Sequence, residues 1–213
     1  MRGALVGVTF EDWAALAGDS ATSRTEWAAV LGAWAEPHRR YHDVAHLAAV
    51  LGIVGELADA ATDPTAVALA AWYHDVAYDP RRSDNEQVSA DRARIGLLGL
   101  VPDAVVEEVV RLVLLTTSHD PADDDADGAV LCDADLAVLA GPPEHYAAYA
   151  SAVREEYAHL DDDVFTAGRT AVIEQLLALP RLYRLERTAA LWTEPARANL
   201  TAELTLLRSL AAS

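Results

Sequence analysis

The stretch Ala70-Ala-Trp-Tyr-His-Asp-Val-Ala-Tyr-Asp79 constrains the rest of the chain more than any other. It closes a run of small and apolar residues, Val67, Ala68, Leu69, Ala70 and Ala71, and then sets His74 and Asp75 side by side. A helix this apolar belongs in a core, and it carries those two polar groups in with it. Left unpaired, a buried imidazole and carboxylate are costly, so they need partners or a metal ion. A histidine nitrogen beside an anionic oxygen suits a borderline divalent ion.

The remaining composition fits a soluble helical protein. With 213 residues and 52% hydrophobic content the chain can build a real core, as one sizeable domain or two small ones. Alanine and leucine dominate, while Gly and Pro punctuate, which predicts an all-α fold. A formal net charge of −18 opposes binding to a nucleic-acid polymer. It does not oppose a small phosphorylated ligand, which needs only a few local cations and a metal. The lone Cys132 excludes an internal disulfide framework and fits a reducing compartment. Met1–Gly7 is short and soon interrupted by Glu11 and Asp12, unlike a signal peptide, and no apolar run reaches transmembrane length. The expectation is a cytoplasmic protein without membrane contact.

Periodicity and capping residues divide the chain into helices. Thr9–Ala17 places Phe10, Trp13 and Leu16 on one stripe. Ser23 or Thr25 can cap a helix running to about Glu36, with Trp27, Val30, Leu31 and Trp34 inward and Pro37 ending it. A helix from near Tyr41 to about Ala60 aligns His46 with Val50, Ile53 and Leu57, with His42 one turn earlier on the same face. Asp63-Pro64 starts the apolar helix before His74. Ser83 and Glu86 have capping-box spacing for Asn85–Leu98, and Pro102 opens a helix to about Ser118 with Leu112, Leu115 and His119 on one face. Pro121–Gly128 reads as a solvated acidic loop without the alternation of an EF-hand. In Ala129–Ala140, Asp135 shares a stripe with Leu131 and Leu139, and Asp133 is rotated away. Pro142–Tyr157 carries Tyr146, Tyr149, Val153 and Tyr157 beside Arg154. Asp161 to Asp163 can cap a helix over Val164–Leu179, and the last helix, from about Glu194, is amphipathic through Leu200, Leu204, Leu207 and Leu210.

Four inward-biased ligand candidates therefore stand on three helices: His46, His74 with Asp75, and Asp135. This H…HD…D order resembles the signature of the HD superfamily of metal-dependent phosphohydrolases. The residues carrying it are Arg40-Tyr-His-Asp-Val-Ala-His46, Trp72-Tyr-His-Asp75 and Asp133-Ala-Asp-Leu136. A closer likeness, to an uncharacterised bacterial subgroup of such proteins, extends over almost the whole chain. It includes Tyr78-Asp79, Asp84-Asn-Glu86, His119, Arg154-Glu-Glu-Tyr157 and Ala196-Arg-Ala-Asn199. The resemblance implies one HD-type helical domain over residues 1–213, of about 9 to 11 helices, with a metal-binding core near 38–160 and helices 161–213 packed on it.

By that resemblance His46 and not His42 is the first metal ligand, His74 and Asp75 follow, and Asp135 matches the final ligand better than Asp133. The ligand set suits Mn, Fe, Co, Ni or Zn better than Mg, one ion per chain. The implied activity is hydrolysis of a small phosphorylated metabolite, most conservatively a nucleotide, by water that the ion activates. Asp75, His42, His119 and Glu86 are the catalytic candidates. Arg40, Arg154, Asp79 and Tyr41 are the substrate-binding candidates, with Arg39 as a further cation. Blander roles stand beside these. His119 can be a buried histidine with a backbone partner, Glu86 a capping residue, Cys132 a small core residue, and the tyrosine stripe plain packing. A non-catalytic metal- or nucleotide-binding regulatory protein and an HD-type di-iron oxygenase are the alternatives, and a homodimer is compatible with all three.

Overall fold

Residues 7–211 are described by the structure, a computed structural model. The reading of Met1–Gly7 as unlike a signal peptide thus falls, Gly7 apart, outside the described residues. Among those residues the fold is all-α, as the composition predicts: ten α-helices, two 3-10 turns and no strand. The chain divides into two compact units, residues 1–134 and 135–213. None of the described helices is long and apolar enough to cross a membrane.

The first unit is built around α4 (Pro64–Tyr73), which has almost no solvent face. Ala66, Val67 and every residue from Leu69 to Tyr73 are buried, as expected of a helix that is apolar all round. Asp63 caps it by accepting the Ala66 N–H at 2.9 Å, and Pro64 occupies the first turn, where its missing N–H costs nothing. Four helices pack on it: α1 (Phe10–Ala17), α3 (Val44–Leu57), α5 (Asn85–Gly96) and α6 (Asp103–Leu115). The indole of Trp13 meets Trp72 edge-on at 5.4 Å. From α2 (Ala21–Trp34), Trp34 donates its indole N–H to the Trp72 carbonyl at 2.9 Å.

Several local expectations are corrected. Ser20 caps α2, because Ser23 is buried and its hydroxyl accepts the Trp13 indole N–H at 2.9 Å. α3 begins at Val44 and not near Tyr41, since the Asp43 carboxylate accepts the Ala45 and His46 N–H groups and fixes the start there. The Ser83/Glu86 capping box does not form. Asp84 is the N-cap of α5 without a side-chain cap bond, and its carboxylate instead accepts from Arg82 at 2.8 Å. The acidic run is only partly solvated. Asp125 takes a two-pronged contact from Arg111 at 2.7 and 2.9 Å, and buried Asp127 accepts the Thr62 and Asp63 N–H groups at 2.6 and 3.0 Å.

The helix predicted over Ala129–Ala140 is α7 (Ala126–Asp135) followed by a 3-10 turn, Leu136–Ala140. Residues 127–134 are all buried, so a single-stripe reading fails. Asp133, expected to point away from the core, is 0% exposed, while Asp135 is only half-buried.

The second unit packs the 3-10 turn, α8 (Pro143–Glu156), α9 (Asp162–Ala178) and α10 (Glu186–Ala211) around Leu139, Tyr146, Ile173, Tyr183 and Leu200. α10 starts at Glu186, well before Glu194, and contains Pro195. Leu200, Leu204 and Leu207 are buried as expected, but Leu210 is exposed. Tyr146 and Tyr149 of the tyrosine stripe do pack, around a polar group: Glu203 accepts from Tyr146 and from Arg169, the latter at 2.8 and 3.0 Å, and Arg169 donates to Tyr149 at 3.1 Å, while Tyr157 lies beside Phe165.

The acidic run contributes to stability in two testable ways. Asp127→Ala strands two backbone donors ahead of α4, and urea unfolding is expected to show a loss of about 1–3 kcal/mol. For Asp125, burial pushes the carboxyl up, but the Arg111 and Gly128 hydrogen bonds outweigh it and hold the group below its ordinary range. Its contribution is therefore complete above the unfolded value near ~3.9 and is lost as pH falls through the lower folded value. Asp125→Asn is expected to be destabilised at neutral pH and to lose less than the parent on acidification below about pH 4, as thermal unfolding across pH will show.

Candidate metal centre

The end of α4 sets the centre. His74 is the C-cap residue, its N–H bonded to the Ala70 carbonyl at 2.8 Å, and its side chain is almost wholly buried. Nδ1 lies 2.8 Å from the Ala71 carbonyl, which can only accept, so Nδ1 carries a proton, and whenever the ring is neutral its lone pair is on Nε2. In the first turn of α3, buried His46 directs its own Nε2 to 3.3 Å from that of His74. Asp75 completes the group with Oδ2 at 3.5 Å from His74 Nε2.

Ligand atoms from His46, His74 and Asp75 thus lie within 4.8 Å of one another, and the trio could hold a metal ion. Two imidazole nitrogens and a carboxylate oxygen facing inward repel unless a proton or a cation lies between them. The walls are aromatic. The Trp34 ring is 5.2 Å from His74 and 6.1 Å from His46, and Tyr41 is 4.7 Å from His46.

His42 does not sit a turn before His46 on one helix, because it precedes the Asp43 cap. It nevertheless joins the group from the preceding loop. Its ring is 5.8 Å from His46 and stacks on Tyr78 at 4.2 Å, and its Nε2 is 3.9 Å from Asp75 Oδ2. Tyr41 packs edge-on against it at 4.9 Å.

The segment Asp75–Asp79 leaves α4 without joining another helix, so side chains satisfy its backbone. Arg39 donates to the carbonyls of Asp75 at 2.8 Å and Val76 at 3.1 Å, and Arg92 donates to Val76 at 3.4 Å. Ser89 Oγ accepts the Ala77 N–H at 3.1 Å. The His38 ring meets the Tyr78 carbonyl at 2.8 Å, and the Asn85 amide serves both the N–H and the carbonyl of Asp79 at 3.1 and 3.0 Å. These supports from the loop before α3 and from α5 carry no individual sequence signal beyond closeness to the two histidine motifs.

The other candidates occupy varied positions. Arg39 is committed to carbonyls and to Glu36, leaving it no N–H for a phosphate. Arg40 is exposed and donates to the Pro37 and Arg39 carbonyls at 2.7 and 3.0 Å. The Asp79 carboxylate accepts the Arg81 N–H at 2.9 Å and shapes its loop. Glu86 is half-buried in the first turn of α5. His119, half-buried after α6, has a left-handed backbone (φ 50°), a conformation that His tolerates better than most residues. In the second unit, Arg154 donates to the Tyr157 and Leu160 carbonyls at 2.9 and 3.2 Å and to Asp162 at 2.6 Å, closing the end of α8. Asp135 opens that unit and is not a member of the trio, which leaves three of the four sequence-predicted ligands gathered.

Comparison of the chain with protein-family models, with curated proteins and with solved structures gives no match.

Proposed function

We propose that this chain is an HD-type, metal-dependent phosphohydrolase acting on a small phosphorylated metabolite, of which a nucleotide is the foremost candidate. The observation that carries the reading is the convergence of His46, His74 and Asp75 on one point. The spacing supports an ion there. Bonds of about 2.0–2.1 Å to a tetrahedral metal put neighbouring ligand atoms about 3.3–3.4 Å apart. The two separations involving His74 Nε2 are 3.3 and 3.5 Å. The nitrogen-rich donor set favours Mn, Fe, Co, Ni or Zn over Mg.

A bound ion would supply an acidified water and neutralise charge on a phosphoryl oxygen. The chain's own residues do the rest. The proton bound by His74 Nδ1 keeps the lone pair of its Nε2 turned toward the centre. With Oδ2, 3.5 Å from His74 Nε2, given to the ion, the other oxygen of the Asp75 carboxylate is the one left to accept a proton. His42 at the half-open edge of the group, held flat on Tyr78, is placed to return one to a leaving oxygen. Arg40, on the exposed side of the same loop, offers charge to the phosphoryl oxygens. The resemblance implies Asp135 as a further ligand in preference to Asp133, although Asp133 is the fully buried one of the two.

Purified protein titrated with Co(II) is expected to bind about one ion per chain with visible-band absorption of low-coordinate cobalt. His46→Gln and His74→Gln are each expected to abolish that signal. Asp133→Asn and Asp135→Asn, measured side by side, identify the α7 carboxylate by which of them weakens it. In a screen of nucleoside monophosphates, cyclic nucleotides and diphosphate-linked nucleotides with each divalent metal, hydrolysis is expected, read as free phosphate from a monophosphate and as the nucleoside monophosphate formed from the other two, and Asp75→Ala is expected to lower it by about 10²-fold or more. Tight cobalt with no turnover on any ester would instead identify a metal-binding regulatory protein, and an Asp75→Ala variant as active as the parent would refute the assigned centre.

A further inference from the structure

We propose that Arg39 is a positioning residue for the metal trio, holding the loop before α3 and the exit from α4 at the spacing an ion requires. This rests on reading His46, His74 and Asp75 as a metal site. The Arg39 side chain is 0% exposed. One nitrogen, Nη1, donates both to the His42 carbonyl at 2.9 Å and to the Asp75 carbonyl at 2.8 Å. A single atom thus bridges the segment that leads into His46 to the segment that carries Asp75. Nη2 adds the Val76 carbonyl at 3.1 Å, and Nε and Nη2 share Glu36 Oε2 at 3.2 and 3.1 Å. The guanidinium also lies 5.4 Å from the Trp34 ring and 5.5 Å from the Tyr78 ring. Trp34 in turn flanks both imidazoles, and Tyr78 supports His42.

Burying a cation costs free energy that an apolar side chain would not. Satisfying every donor of a rigid fork from two separate segments fixes their relative position, which an apolar side chain cannot do. Lysine, with three donors on a flexible stem, cannot reproduce the pattern. Glu36, at the half-exposed end of the contact, orients the fork from outside.

The test measures Co(II) affinity by chelator competition, well below the unfolding temperature, in parent, Arg39→Lys, Arg39→Met and Arg39→Ala, with thermal unfolding recorded for each. The expected result is affinity weakened by about ten- to a hundredfold in folded Lys and Met variants. Guanidinium ions, and not ammonium ions, are expected to restore part of it in Arg39→Ala. A residue that merely staples the fold would lower the unfolding temperature and leave affinity within about twofold, and that result overturns the inference. Should the Arg39 variants fail to fold, Glu36→Gln decides: weaker cobalt binding at unchanged unfolding temperature supports the inference, and unchanged binding overturns it. A parent that binds no cobalt overturns the metal reading and this inference together, whereas a normal parent beside unaffected variants overturns this inference alone.

Discussion

The constraint on which this structure depends is the burial of α4 up to and including its last residues. An apolar helix hidden on every side stabilises the first unit by removing Val67, Leu69, Trp72 and Tyr73 from water, at roughly 1.5–3 kcal/mol for each large side chain. The same burial places His74 where water cannot satisfy its ring. The Ala71 carbonyl takes one nitrogen, and the other faces His46 and Asp75. Packing and chemistry are therefore coupled at one helix end. Burial of the helix end thus goes together with a group of two imidazoles and a half-buried carboxylate that could hold a metal ion.

The irregular segment beyond α4 deepens that coupling. Secondary structure is the least costly way to satisfy a buried backbone, yet the residues after His74 must leave the helix for their side chains to reach the centre. The chain solves this with side-chain partners, drawing on His38, Arg39, Asn85, Ser89 and Arg92 for five consecutive residues. Each hydrogen bond is modest, about 0.5–1.5 kcal/mol net, but an unsatisfied buried carbonyl would cost more. A segment held this way is placed by atoms of two other elements. Asp75 and Tyr78 then depend on the loop before α3 and on α5 as much as on their own helix.

The fold class and most helices were legible because the signals are local. Asp63-Pro64 at the start of α4, the apolar periodicity of α3 and the pairing of Thr9 with Asp12 at α1 need no tertiary knowledge. His46, His74 and Asp75 were legible for the same reason: each is a polar group on an apolar pattern. The misreadings share the opposite cause. Asp133 and Asp135 could not be ranked by a stripe because α7 is buried all round, and period then carries no direction. Ser83 and Glu86 have the spacing of a box that the Asp84 start of α5 does not use. Asp125 and Asp127 look like solvated acids until partners about 14 and 65 residues away, Arg111 and Thr62, are placed beside them.

Hydrogen-bond partners also separate scaffold from chemistry among the motifs. Arg197 donates to the Leu177 and Leu179 carbonyls at 3.1 and 3.2 Å, closing the end of α9. Asn199 donates to the Leu139 and Gly141 carbonyls at 2.8 and 2.9 Å, where a 3-10 turn leaves them open, and Tyr183 does the same for Leu136 at 2.9 Å. Arg154 closes α8 in like manner. These polar side chains serve orphan carbonyls at helix ends, so a place in a sequence motif is no warrant for a place at a reacting atom. His42 is the contrasting case. Its ring stacks on Tyr78, comes within 3.9 Å of Asp75 and is only half-buried, so it lies beside the trio and closes no helix end.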